Sequence, residues 1–236
     1  MIVSLFVFVV ILVLSIPSAV IFIPLAAVTG NAGPLYVVVC YIVRAGFWVA
    51  GIRVRVEGRE NVPAGQACIF MANHVSNLDA PGLIPRIPGR TAAFTKRSVF
   101  KLPLFGYCLK LGEFIPVDRI GSAASAQQSV AAATRVLEKG LHMTTFVEGT
   151  RSRDGRLQPF KKGTFYLAFE TGAPCIPVSV YGTEALMAKG SFGIKPGTAH
   201  FIFHAPIYPR DFETREELMA AVRASIASGL PEWMRE

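Results

Sequence analysis

The chain has 236 residues, 52% hydrophobic and 17% charged, with 24 Lys and Arg against 16 acids and a formal net charge of +8. That length suits one α/β domain with an appendage and makes a second full domain unexpected. The apolar excess points toward a membrane, and the basic balance toward an anionic membrane face or a phosphate-bearing ligand. Nucleic acid is the competing partner for such a charge. It has no support here, since there is no aromatic and basic interleaving of the RNP kind, no zinc-ligand spacing and no basic region ahead of heptads.

The apolar excess is concentrated at the start, because residues 1–43 carry no charged side chain. Residues 1–29 form an almost unbroken apolar run that, at 1.5 Å per residue, can cross a hydrocarbon core of roughly 30 Å. Pro17 and Pro24 complicate it. No basic n-region precedes the run, so a retained segment is expected rather than a signal peptide. After the turn cluster Gly30-Asn31-Ala32-Gly33-Pro34, a second apolar stretch runs from Leu35 to about Ala50 and contains Arg44. A helical hairpin in one leaflet and a spanning helix with an interfacial partner both fit, whereas two buried core helices would seldom be this long and uncharged. Arg44, Arg53, Arg55 and Arg59 flank the end of the second stretch, which by the positive-inside bias places the following domain on the cytoplasmic face. The expected division is a membrane-associated hairpin over 1–50 and an α/β domain over 51–236.

From Gly51 the pattern changes to alternation. Strands are predicted at 52–56, 66–72, 91–95, 113–117, 143–147, 175–181 and 199–204, with helices at 78–86, 97–110, 123–139, 160–171 and 214–228. Thr214-Arg215-Glu216-Glu217 matches a capping box, and Gly229 with Pro231 marks the stop. Strands alternating with helices predict a layered α/β domain. The four cysteines, Cys40, Cys68, Cys108 and Cys175, are widely spaced with no CxxC pair, as expected of buried reduced thiols.

The chemistry-bearing stretches sit at strand ends, where α/β sheets usually form ligand sites. Asn73-His74-Val75-Ser76-Asn77-Leu78-Asp79 places an imidazole near a carboxylate. The carboxylate could hold the ring in one tautomer and stabilise its cation. Five residues on an ideal helix point about 140° apart, so the two meet only if the chain turns between them, and Ser76, Asn77 and Pro81 are turn or helix-start residues. Arg119, after Val117-Asp118, and Arg151, after Glu148-Gly149-Thr150, could each grip a phosphate through the guanidinium fork. Each could equally form an ordinary ion pair, with Asp118 or Glu148 for instance.

These blocks, with Ile176-Pro177-Val178 downstream, resemble in order and spacing the glycerolipid acyltransferase family, and in particular its 1-acylglycerol-3-phosphate branch. The resemblance covers roughly residues 68–182. It implies an acyltransferase-type sheet flanked by helices, His74 and Asp79 as catalytic residues, and Arg119, Glu148, Gly149, Thr150 and Arg151 as binding residues for the lipid phosphate. Ile176-Pro177-Val178 would line the acyl or acceptor channel. Lys96, in Lys96-Arg97-Ser98-Val99-Phe100, looks like the family lysine near the active site, which implies it as a third catalytic residue beside His74 and Asp79. The chain departs from the family pattern at Val147, where Pro is common before Glu, and at Ser98-Val99, where Glu-Leu is common. The activity implied is acyl transfer, without cofactor or metal, from acyl-CoA or acyl carrier protein to the sn-2 hydroxyl of lysophosphatidic acid, giving phosphatidic acid at a membrane. Alternatives are a related acyltransferase using another acceptor, such as a lyso-ornithine lipid, or a non-catalytic lipid-binding membrane protein. A serine hydrolase or nucleotide-binding protein is disfavoured, since neither a GxSxG elbow nor a Walker loop occurs.

Overall fold

The computed structural model describes residues 2–118, 123–188, 190–191 and 193–235. The first apolar stretch folds as α1 (Ile2–Thr29) and the second as α2 (Gly33–Val49). Pro17 and Pro24 lie inside α1 without ending it. With 28 residues, α1 is about 42 Å long. It is long and apolar enough to cross a membrane, and only 6% of its apolar window is buried by the rest of the protein. Gly46 of α2 permits close packing of the two helices, since a Cβ there would stand 3.1 Å from Ile11 Cδ1. On its other side α2 is fastened to the remainder of the chain. The Arg44 guanidinium donates to the Pro85 carbonyl, and the Thr91 amide donates to the Tyr36 hydroxyl at 3.3 Å.

Among the described residues one seven-stranded sheet forms from β1 (Ile52–Glu57), β2 (Ile69–Ala72), β3 (Thr91–Lys96), β4 (Ile115–Val117), β5 (His142–Phe146), β6 (Cys175–Tyr181) and β7 (Gly197–Phe203), in the order β1-β7-β6-β2-β5-β3-β4. The β6/β7 pair is antiparallel and every other neighbouring pair is parallel. The central strands read as continuous apolar runs because they are covered on both faces. Alternation along β2 divides the core. Ile69 and Met71 face a cluster built from α5 (Ala123–Glu138), α6 (Gly163–Thr171) and α8 (Arg215–Ser228). Phe70 and Ala72 face a second cluster that includes Phe47 of α2, Leu83 of α3 (Asp79–Leu83) and Leu186 of α7 (Thr183–Leu186). Gly82 of α3 lets that helix lie on the sheet, for a Cβ there would meet Phe201 Cζ at 2.4 Å.

The layered α/β prediction is borne out, with local differences. The helix expected over 97–110 is a 3₁₀ turn, Arg97–Lys101, followed by α4 (Pro103–Leu111). Leu102, the residue before a proline, is extended at φ −71° and ψ 120°, the region such residues prefer. The capping box at Thr214 is present in both directions, with the Glu217 amide donating to Thr214 Oγ1 at 3.2 Å and the Thr214 amide to Glu217 Oε2 at 3.3 Å.

Candidate active site

Strands β6, β2, β5, β3 and β4 are mutually parallel, so their C-terminal ends open on one edge of the sheet. Register sets what meets there. Ala72 lies level with Phe146 on one side and Val178 on the other, which brings His74, two residues past β2, beside Glu148, two residues past β5. The Asn73 side chain extends the β2/β6 ladder by one rung. Its Nδ2 donates to the Val180 carbonyl at 2.8 Å, and its Oδ1 accepts from the Val180 amide at 2.7 Å.

The loop then turns, as the spacing of His74 and Asp79 requires. Asp79 opens α3 and is completely buried. It acts only as an acceptor: Oδ2 receives the Val75 amide at 2.7 Å, the Ser76 amide at 2.8 Å and His74 Nδ1–H at 2.7 Å. Its Oδ1 receives the Thr183 hydroxyl at 2.5 Å. A buried charge surrounded by donors in this way is held in place and oriented. The His74 ring stacks on Phe146 with centroids 4.1 Å apart and keeps 16% side-chain exposure, enough for one ring edge to be reached. With Nδ1 committed to Asp79, Nε2 is the nitrogen left to accept a proton. Thr183 and Phe146 were not legible as site residues in the sequence. The one available signal was that Thr183 lies two residues past the end of β6, just after Gly182.

Glu148 to Ser152 form a tight turn after β5. Gly149 supplies the left-handed conformation (φ +70°) that the turn needs. Gly149 and Thr150 are exposed, Arg151 is half-buried, and the Ser152 amide donates to the His74 carbonyl at 2.7 Å, joining this turn to the His74–Asp79 loop. Glu148 is 1% exposed, and neither of its oxygens has a well-aligned partner. Burial pushes its carboxyl up to about 8. The nearby Gln158 and His74 amides oppose the rise and the Asp79 carboxylate adds to it. A proton is therefore bound in the folded state, and not in the unfolded one, between the ordinary value near 4.5 and about 8. Across that window stability falls as pH rises, by about 1.4 kcal/mol per unit. Glu148→Gln should flatten that slope and be the more stable form above pH 8. Urea melts from pH 5 to 9 check this, and parallel curves for the two proteins would refute it.

Lys96 ends β3, exposed, with Val117 as its β4 partner. Arg119 lies outside the described residues. Among the described residues, Asp118 pairs with Arg97 at 2.6 Å on the surface. Ile176 and Val178 are completely buried in the sheet. All four cysteines are free, with Cys68 and Cys175 buried and Cys40 and Cys108 half-buried. A second histidine contact imitates a catalytic pair. Ser179 Oγ lies 2.7 Å from His204 Nε2, but it donates to the Ile226 carbonyl at 2.6 Å and is completely buried, so it is a seam between β6 and α8 rather than a nucleophile.

The acyltransferase family model matches residues 53–181. The 1-acyl-sn-glycerol-3-phosphate acyltransferase of Limnanthes douglasii is 35% identical over 165 residues, which cover 70% of this chain and 58% of that protein. The human 1-acyl-sn-glycerol-3-phosphate acyltransferase alpha is 32% identical over 144 residues, covering 60% of this chain and 50% of its own length. The chain thus spans less than two thirds of the length of these curated relatives. The crystal structure of the 1-acyl-sn-glycerophosphate (LPA) acyltransferase from Thermotoga maritima is similar with a TM-score of 0.74 and 30% identity, over 83% of this chain and 78% of that one. The family match runs through both the His74–Asp79 loop and the Glu148–Arg151 turn, on a sheet that a solved acyltransferase shares, and the chain belongs to the acyltransferase family.

Proposed function

We propose that the protein transfers a fatty acyl group from acyl-CoA or acyl carrier protein to the sn-2 hydroxyl of 1-acylglycerol 3-phosphate, forming phosphatidic acid. The observation that carries this reading is the 2.7 Å contact between His74 Nδ1 and the buried Asp79, beside the Glu148–Arg151 turn, in a chain of this family. His74 Nε2 takes the hydroxyl proton as the acceptor oxygen attacks the thioester carbonyl. The C–S bond then breaks, and the departing thiolate receives the proton from the imidazolium. The acceptor is itself the nucleophile and a thiolate leaves readily, so no enzyme nucleophile is required. General-base help of this kind contributes about 10² to 10⁴ in rate.

In this reading Lys96 belongs with His74 and Asp79 to the catalytic set, Arg151 and Arg119 supply cationic groups for the acceptor phosphate, and Glu148, Gly149 and Thr150 shape the turn around it. Fixing the phosphate decides which hydroxyl faces Nε2, a positioning contribution. Residues 1–50 act as the membrane-associated segment and residues 51–236 as the catalytic domain on the cytoplasmic side, where the arginines after α2 lie. Long-chain substrates would then be met at the bilayer surface.

The decisive experiment is an acyl-transfer assay in liposomes, with both thioester donors and a panel of phosphate-bearing and phosphate-free lysolipids. Phosphatidic acid formation supports the reading, and transfer confined to phosphate-free acceptors overturns the assigned substrate. Arg151→Lys keeps the charge but loses the planar fork. It should raise KM for lysophosphatidate about tenfold with kcat little changed, and an unchanged KM would remove Arg151 from the phosphate role.

A further inference from the structure

We propose that α4, with the turn leading into it, is a second membrane contact: an interfacial helix lying in the headgroup region of an anionic bilayer. Leu102, Leu104, Phe105 and Tyr107 are 54%, 52%, 55% and 43% exposed, four large apolar or aromatic side chains within six residues. A soluble surface scatters such residues, and a cluster marks a surface that something covers. The helix cannot turn them inward. Its other face buries Gly106 and Leu109, and a Cβ at Gly106 would stand 2.2 Å from the Phe100 carbonyl oxygen, so the backbone there is pressed against the preceding turn.

Two observations make lipid the occupant. First, α4 packs beside α1, the helix long and apolar enough to cross a membrane, which exposes Leu5, Phe6, Phe8 and Leu12. Second, exposed lysines bracket the stripe, Lys101 before it and Lys110 after it, with Lys96 just upstream. An apolar face edged by long basic side chains is the composition of helices that lie in the interface plane. The lysine stems run along the acyl boundary while their heads reach anionic phosphates. A protein partner would not need a place beside α1.

The contact also places the site. Lys96 ends β3 immediately before the turn, so a helix anchored at headgroup depth holds the open edge of the sheet at the level of a lysolipid's phosphate. That consequence rests on the acyltransferase reading, whereas the contact itself does not.

The contact is tested first without reference to activity. Phe105→Trp in a Trp48→Phe, Trp233→Phe background, as the full chain reconstituted in phosphatidylglycerol liposomes, should show blue-shifted emission and quenching by lipids brominated near the headgroup. Water-like emission overturns the proposal, and so does blue-shifted emission that brominated lipid leaves unquenched, which would mark a protein contact. The second test compares acceptors. Leu104→Ser with Phe105→Ser, shown by circular dichroism to be folded, should lower turnover of lysophosphatidate embedded in liposomes about tenfold, while turnover of a water-soluble short-chain lysophosphatidate stays the same. Equal loss on both acceptors, or none on either, overturns the placement of the site. Absence of turnover by the unmodified protein would count against the acyltransferase reading, with the quenching measurement still deciding the contact.

Discussion

His74→Ala should lower kcat for acyl transfer by about 10² to 10⁴ while leaving the protein folded. The ring contributes little to the core. It retains 16% side-chain exposure and stacks on the face of Phe146, and Asn73 rather than His74 carries the link to β6. Asp79 keeps three other donors when the imidazole is gone, so the loop does not lose its anchor. KM for both substrates should change little, because the base acts on the proton in flight rather than on binding. Near-normal turnover by a folded His74→Ala protein would falsify the general-base mechanism.

The second large effect is at Asp79, where two substitutions separate charge from architecture. Asp79→Asn can place its carbonyl oxygen at the Oδ2 position, keeping the Val75, Ser76 and His74 donors, while its amide faces a Thr183 hydroxyl able to accept. The loop should survive and the negative charge beside the imidazolium should not, so kcat should fall by on the order of 10² or more with the melting temperature nearly unchanged. Asp79→Ala leaves the Val75 and Ser76 amides and the Thr183 hydroxyl without their acceptor in a buried place, at about 1–3 kcal/mol each. It should therefore lose stability as well as turnover, measured by thermal melts alongside initial rates. Wild-type turnover by Asp79→Asn would mean that the carboxylate positions the loop but takes no part in proton transfer.

The difference between what the sequence disclosed and what it withheld follows the range of the interactions. Strands and helices with a strong period were placed to within a few residues, since alternation and helical spacing are local properties. The short α7 has only four residues and no period to detect, and the break at Leu102 depended on one proline. Strand order was not legible. The reversal of β7 against β6 is decided by pairings such as Val178 with Phe203, which no local pattern encodes. The same holds within the site. His74 and Asp79 are five residues apart and could be suspected as a pair, whereas Thr183 reaches Asp79 across 104 positions and is aimed by the end of β6. Glu148 was expected in the binding turn, but its burial was not, because the sheet and the loop around Gln158 that enclose it assemble only in three dimensions.

The 2.7 Å bond from the Ser152 amide to the His74 carbonyl means that the two halves of the site are not energetically separate. A backbone tie between the turn that would seat the phosphate and the residue that would move the proton lets displacement of one be felt by the other. Losses from His74→Ala and Arg151→Ala should accordingly fail to add. The double variant should retain more activity than the product of the single effects predicts, with a coupling of about 0.5–3 kcal/mol. Measured in a double-mutant cycle, strict additivity would show that the tie transmits nothing.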